Sequence, residues 1–235
     1  MPANLAKAVP VVIETLGSNA QGFSFALEQF EGRTQLRALH RPDYGPIYAD
    51  WLSADLRRRI TAGRKQLISR AIGLNKTTKL RILDATAGLG RDGFLLAALG
   101  AQVTMAERNP QVYSLLADAH GRALLDPKFA DAANRVTLRN SEGLAAAGTE
   151  PWEVIYLDPM YAGTGRTALP QKEMQILRDL TGGDRDADQL ITGAMGCGCK
   201  RIVVKRPAKA AWLGAIKPSQ TFLGTQARFD VYLAS

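Results

Sequence analysis

Two short stretches carry the residue types that could do chemistry: Leu83-Asp84-Ala85-Thr86-Ala87-Gly88-Leu89-Gly90-Arg91-Asp92 and Val154-Ile155-Tyr156-Leu157-Asp158-Pro159-Met160-Tyr161. Each is an apolar run ending in a polar loop, the pattern of a buried parallel strand whose carboxyl end faces a ligand. In the first, Gly88 and Gly90 let the backbone turn tightly against a ligand, and a helix opening at Arg91 aims its free amides at the same place. Asp84, four residues before Gly88, suits the cationic amine of an amino-acid moiety and would repel a pyrophosphate. The next strand ends at Glu107, 19 residues after Gly88, near the spacing of about 20 at which an acid accepts ribose hydroxyls. The following strand end, Asn140-Ser141-Glu142, offers polar groups to an adenine edge.

An amine, a ribose and no phosphate describe S-adenosylmethionine. The alternative is a dinucleotide, because Gly88, Gly90 and Gly93 also satisfy G-x-G-x-x-G; Asp84 argues against it. In the second stretch, Asp158-Pro159-Met160-Tyr161 resembles the D/N-P-P-Y/F element of methyltransferases that act on exocyclic amines of bases, with Met160 in place of the second proline. Such an amine is conjugated with its ring and is a poor nucleophile. Hydrogen bonds from it to the Asp158 carboxylate and the Pro159 carbonyl favour a more pyramidal nitrogen, and Tyr161 can stack on the extruded base. The expected catalytic residues are therefore Asp158, Pro159 and Tyr161.

The elements that must position these residues alternate from about residue 76 onward. Strands are expected at 81–86, 102–107, 135–140, 153–158 and 201–206, helices at 91–99, 110–125, 170–181 and 186–195, and a final strand pair near 220–224 and 228–233. That order predicts a doubly wound, mostly parallel sheet. The start reads as β-rich, with runs at 9–13, 22–30 and 34–39 and a hairpin at Glu31-Gly32, followed by a helical stretch through about Gly73. The expected division is thus 1–75, a β-rich and helical basic subdomain, and 76–235, the catalytic domain.

Charge is uneven along the chain. Of a formal +8, residues 1–80 hold +6, with 12 Lys/Arg against 6 Asp/Glu. Arg57, Arg58, Arg59, Arg64 and Lys65 fall there. A second stretch, with Lys205 and Arg206 in it, has no acid between Asp188 and Asp230. Such patches fit nucleic-acid phosphates. His40 and His120 are isolated, so no metal is expected. Cys197-Gly198-Cys199 precedes a strand and no cysteine lies beside Asp158, which argues against a covalent cysteine adduct. The apolar runs are too short for a membrane span, and the start lacks the pattern of a secretory signal, so a cytoplasmic chain without an obligate protein partner is expected.

With those residues in hand, the chain resembles the ribosomal RNA small subunit methyltransferase J family. The resemblance rests on Asp84 to Asp92, Glu107-Arg108-Asn109-Pro110, Tyr156 to Met160, Val203-Val204-Lys205-Arg206-Pro207 and Arg228-Phe229-Asp230-Val231-Tyr232, and reaches the N-terminal part through Ile47-Tyr48-Ala49-Asp50-Trp51. It implies a Rossmann-like α/β fold of the class I S-adenosylmethionine-dependent type, with a seven-stranded mostly parallel sheet. The implied reaction is methylation of a guanine N2 amine in small-subunit ribosomal RNA, free or in the ribosomal particle. It also implies cofactor contacts at Arg91, Asp92, Glu107, Arg108, Glu142, Gly143 and Asp158. The chain carries Glu142-Gly143 where one member of the family has two serines. The resemblance also gives Lys205 and Arg206, at a strand end next to the site, a role in holding the target phosphate. The rival within the class is an adenine-N6 methyltransferase on DNA or RNA, since the same Asp-Pro chemistry serves any exocyclic amine.

Overall fold

The computed structural model describes residues 9–19, 21–77, 79–148, 150–160, 170–184 and 186–233. Its first elements are the strands β1 (Val11–Leu16), β2 (Phe25–Phe30) and β3 (Arg33–Ala38), an antiparallel three-stranded sheet. Glu31 and Gly32, both at positive φ (48° and 73°), make the two-residue turn between β2 and β3, as the twist of a tight hairpin demands. The helices α1 (Ala54–Thr61) and α2 (Leu67–Ile72) follow. The continuous helical stretch expected there is interrupted at Gly63, whose φ of 68° the helix cannot hold.

Alternation then sets in with β4 (Arg81–Asp84), α3 (Arg91–Ala98), β5 (Gln102–Glu107), α4 (Pro110–Leu125), the short α5 (Ala130–Ala133), β6 (Val136–Asn140), β7 (Val154–Leu157), α6 (Pro170–Thr181), α7 (Ala187–Gly196), β8 (Arg201–Pro207), β9 (Gln220–Leu223) and β10 (Ala227–Leu233). The described strands from β4 on form a seven-stranded sheet in the order β6-β5-β4-β7-β8-β10-β9. β6, β5, β4, β7 and β8 run parallel; β10 pairs antiparallel with β8 and β9. This is the Rossmann-like α/β architecture of the class I methyltransferases, with its small β-rich N-terminal addition. β7 is buried from end to end and β4 from its second residue on, which is why they read as apolar runs.

Two contacts decide how the halves meet. The hydrophobic cluster that holds Phe94, Leu116 and Val231 also holds Phe25, Leu36 and Trp51, so the core runs on across residue 76. Trp51 is fully buried, stacks on Phe94 with centroids 4.6 Å apart, and donates its indole N–H to the Leu89 carbonyl at 2.9 Å. No described helix is long and apolar enough to cross a membrane.

Candidate active site

The carboxyl ends of β4, β5 and β7 open into one cleft of about 1090 Å³. The order β5-β4-β7 reverses direction at β4, the switch point at which open α/β sheets place ligands. Asp84 pairs in register with Tyr156 across β4 and β7, so the turns after the two strands lie against each other. They are also bonded: the Asp158 N–H donates to Thr86 Oγ1 at 2.6 Å.

The glycine turn is shaped by what surrounds it. Gly90 opens α3 at φ 72°, and a Cβ there would meet Leu116 at 2.5 Å and the Trp51 ring at 2.8 Å. Gly143, after β6, comes closer still, because a Cβ on it would fall 1.9 Å from the Ala85 carbonyl oxygen. Glu142-Gly143 thus puts a residue without a side chain where two loops touch. Glu107 closes the turn, accepting the Gly88 N–H at 3.0 Å with one oxygen and the Asn109 N–H at 2.8 Å with the other. Asn109 in turn caps α4, with Pro110 in its first turn.

A cluster of carboxylates around the Lys205 ammonium, with Arg59 and Arg108 beside it, gives the cleft its electrostatics. Asp84 is buried and pushed up to about 8 by that burial, with Asp92 and Asp158 adding to the effect. The Thr86 N–H donates to its carboxyl at 3.3 Å. Burial works in the same direction on Asp92, but Lys205 and Arg59 outweigh it and hold Asp92 below its ordinary value. Asp158 is raised, chiefly by burial and against the pull of Lys205. Burial opposes the charge of Lys205, yet Asp158 and Asp92 raise it above the usual lysine value. Asp184 Oδ2 accepts the Met160 N–H, and Arg108 binds Asp184 at 2.7 Å and Asp186 at 3.0 Å. The segment after β7 is thereby tied to the loop after α6.

The residues singled out from sequence fall in three places. Asp84, Gly88, Gly90, Arg91, Asp92, Glu107, Arg108, Glu142, Gly143, Asp158 and Pro159 all line the cleft. Arg57, Arg58, Arg64 and Lys65 lie outside it, exposed on and after α1. Arg59 and Lys205 line the cleft and are engaged inside it: Arg59 pairs with Asp92 at 2.7 Å and Lys205 with Asp92 and Asp158 at 2.8 Å. Arg206 also lines the cleft, but it is buried and donates to the Ala211 carbonyl at 2.6 Å. Arg91 pairs with Glu173 of α6 at 2.8 Å. Tyr161 lies outside the described residues.

Sequence reasoning missed Tyr156, whose hydroxyl donates to Asp92 Oδ2 at 2.9 Å. A hydroxyl on a fully buried strand needs a partner, and that was the available signal. Asp184 gave none, since its role arises only from where the loop after α6 lands.

The donor set fits S-adenosylmethionine. A buried carboxylate with no cation hydrogen-bonded to it among the described residues suits the ammonium, and Glu107, whose oxygens each keep a lone pair, suits ribose hydroxyls. Known proteins point the same way. A family described as "Putative SAM-dependent methyltransferase" matches residues 13–234. A crystal structure of an S-adenosylmethionine-dependent methyltransferase from Neisseria gonorrhoeae superposes with a TM-score of 0.67 at 32% identity, covering 86% of this chain and 79% of that one. Ribosomal RNA small subunit methyltransferase J of Aeromonas hydrophila is 44% identical over 214 residues, 89% of this chain and 86% of the relative. The protein of the same name from Vibrio vulnificus is 43% identical over 222 residues, covering 89% and 86%. A cleft at the β4 switch point whose donors fit S-adenosylmethionine, an Asp-Pro element beside it, and likeness along nearly the whole length lead to one conclusion: the chain belongs to the ribosomal RNA small subunit methyltransferase J family.

Proposed function

We propose that the chain transfers a methyl group from S-adenosylmethionine to the exocyclic N2 amine of a guanine in small-subunit (16S) ribosomal RNA. The observation that carries this reading is the join between the two turns, where the Asp158 N–H is bonded to Thr86 Oγ1 and the acceptor residues sit directly beside the cofactor loop. When bound, S-adenosylmethionine supplies a methyl group on a cationic sulfur, open to in-line displacement.

The chain's own residues do the rest. Asp84 holds the ammonium, Glu107 the ribose, and the Gly88–Gly90 turn with Arg91, Asp92 and Arg108 frames the cofactor. Glu142 and Gly143 border the adenine end. Asp158 Oδ1 and the Pro159 carbonyl accept the two amine hydrogens, which turns the nitrogen lone pair toward the methyl group. Asp158, raised above its ordinary value, is suited to receive the proton released as the new carbon–nitrogen bond forms. Tyr161, two residues after Pro159 in the chain, is proposed to stack on the base. Outside the cleft, Arg57, Arg58, Arg64 and Lys65 are proposed to contact RNA phosphates.

Incubation of the protein and labelled S-adenosylmethionine with small ribosomal subunits, stripped ribosomal RNA and DNA, all from cells lacking the gene, tests the reading. The expected product is N2-methylguanosine from ribosomal material, reduced roughly 10²-fold or more in Asp158→Ala. Label in N6-methyladenine or in DNA would overturn it.

A further inference from the structure

We propose that Lys205 is a positioning residue for the transfer step: its ammonium, seated between Asp92 and Asp158, fixes the Asp158 carboxylate where the acceptor amine must meet it. The proposal rests on the methyl-transfer reading of the cleft and adds a residue whose sequence context suggested a phosphate contact.

The strands themselves create the pair. Parallel register between β7 and β8 ends with Leu157 beside Val204, so Asp158 and Lys205 emerge next to each other from neighbouring strands. Lys205 Nζ donates to Asp158 Oδ2 and to Asp92 Oδ2, both at 2.8 Å. Asp92 is itself braced from two other elements. Arg59 of α1 donates to its Oδ1 at 2.7 Å and the Tyr156 hydroxyl to its Oδ2 at 2.9 Å. An ammonium compensated by two carboxylates is a poor phosphate ligand and a good anchor. With Oδ2 of Asp158 occupied, Oδ1 is the oxygen left to accept an amine hydrogen.

The charged and titratable groups around Asp158 are Lys205 on β8, Asp92 at the start of α3, Asp84 on β4, Tyr156 on β7, and Asp184 after α6, with Arg59 behind Asp92. Their signs give a test. Loss of the Lys205 charge raises the Asp158 carboxyl, whereas loss of the Asp92 charge lowers it.

Lys205→Met, Lys205→Arg and Asp92→Asn are compared in the full chain after thermal melts confirm folding. Turnover on ribosomal RNA is followed against pH, and the Asp158 carboxyl is titrated by ¹³C NMR. For Lys205→Met we expect kcat to fall roughly 10²-fold with KM for RNA nearly unchanged. The acidic limb should move to higher pH in Lys205→Met and to lower pH in Asp92→Asn, and Lys205→Arg should restore much of the rate. An unmoved acidic limb and an unmoved carboxyl titration in Lys205→Met would overturn the proposal. So would a large rise in KM with kcat intact, which would make Lys205 a phosphate contact. If the unaltered protein methylates no RNA, the reaction reading fails, and the NMR titration still decides whether Lys205 governs Asp158.

Discussion

Asp84, proposed above to hold the cofactor's ammonium, is a side chain whose burial works against folding. Its carboxyl, near 4 in an unfolded chain, is pushed up to about 8 by burial. Between those values the folded protein retains a proton that the unfolded chain has released. Its contribution therefore makes cofactor-free stability decline as pH rises from about 4 to 8. Asp84→Asn removes that decline. The variant should melt higher than the unaltered protein at pH 8 and above, with the gap closing toward pH 4. At neutral pH and above it should bind S-adenosylmethionine roughly tenfold or more weakly, as expected when a hydrogen bond to a charged group is removed. Thermal scans against pH and cofactor titration check both outcomes. Equal melting points across that range would show that Asp84 is not strained by its burial.

At the scale of elements, Trp51 carries the contact between the N-terminal region and the glycine turn. Trp51→Phe keeps a ring on Phe94 but leaves the Leu89 carbonyl without its donor. The expected cost is about 1–2 kcal/mol of stability, with weaker S-adenosylmethionine binding because the turn loses its brace. Urea unfolding with cofactor titration measures the pair, and a stability loss at unchanged affinity would confine Trp51 to packing. β4 and β7 were legible in the sequence because each is an apolar run closed by a polar loop, and β5, α4 and α6 have the expected limits. Asp84, Glu107 and Asp158 were legible for the same reason, since strand ends place side chains at the cleft. The pairs Arg59–Asp92 and Trp51–Leu89 were not, because no local pattern records a contact between residues tens of positions apart. Lys205 and Asp158 needed the register of β7 on β8 before their proximity could be seen. α5, four residues long, is too short to show a period.

The whole molecule presents its basic residues unevenly. Arg57, Arg58, Arg64 and Lys65 are exposed, while Arg59 and Lys205 spend their charge inside the cleft. For that reason the quadruple change of the exposed four to alanine should flatten the dependence of RNA affinity on salt. The slope of log K against log salt should shrink by about 0.7 to 0.9 for each phosphate that the variant no longer neutralises, while S-adenosylmethionine binding stays intact. Filter binding over a salt series reads it, and an unchanged slope would move the RNA track elsewhere. The division near residue 76 remains a proposal about architecture, because the hydrophobic core does not stop there. The ring of Trp51 lies where a Cβ on Gly90 would have to go, and Leu116 closes the same space from α4. These three positions, scattered across the chain, share one small volume. A chimera joined near residue 76 would therefore set one chain's ring against another's glycine turn, and it closes without a clash only if the second chain brings glycine to that place.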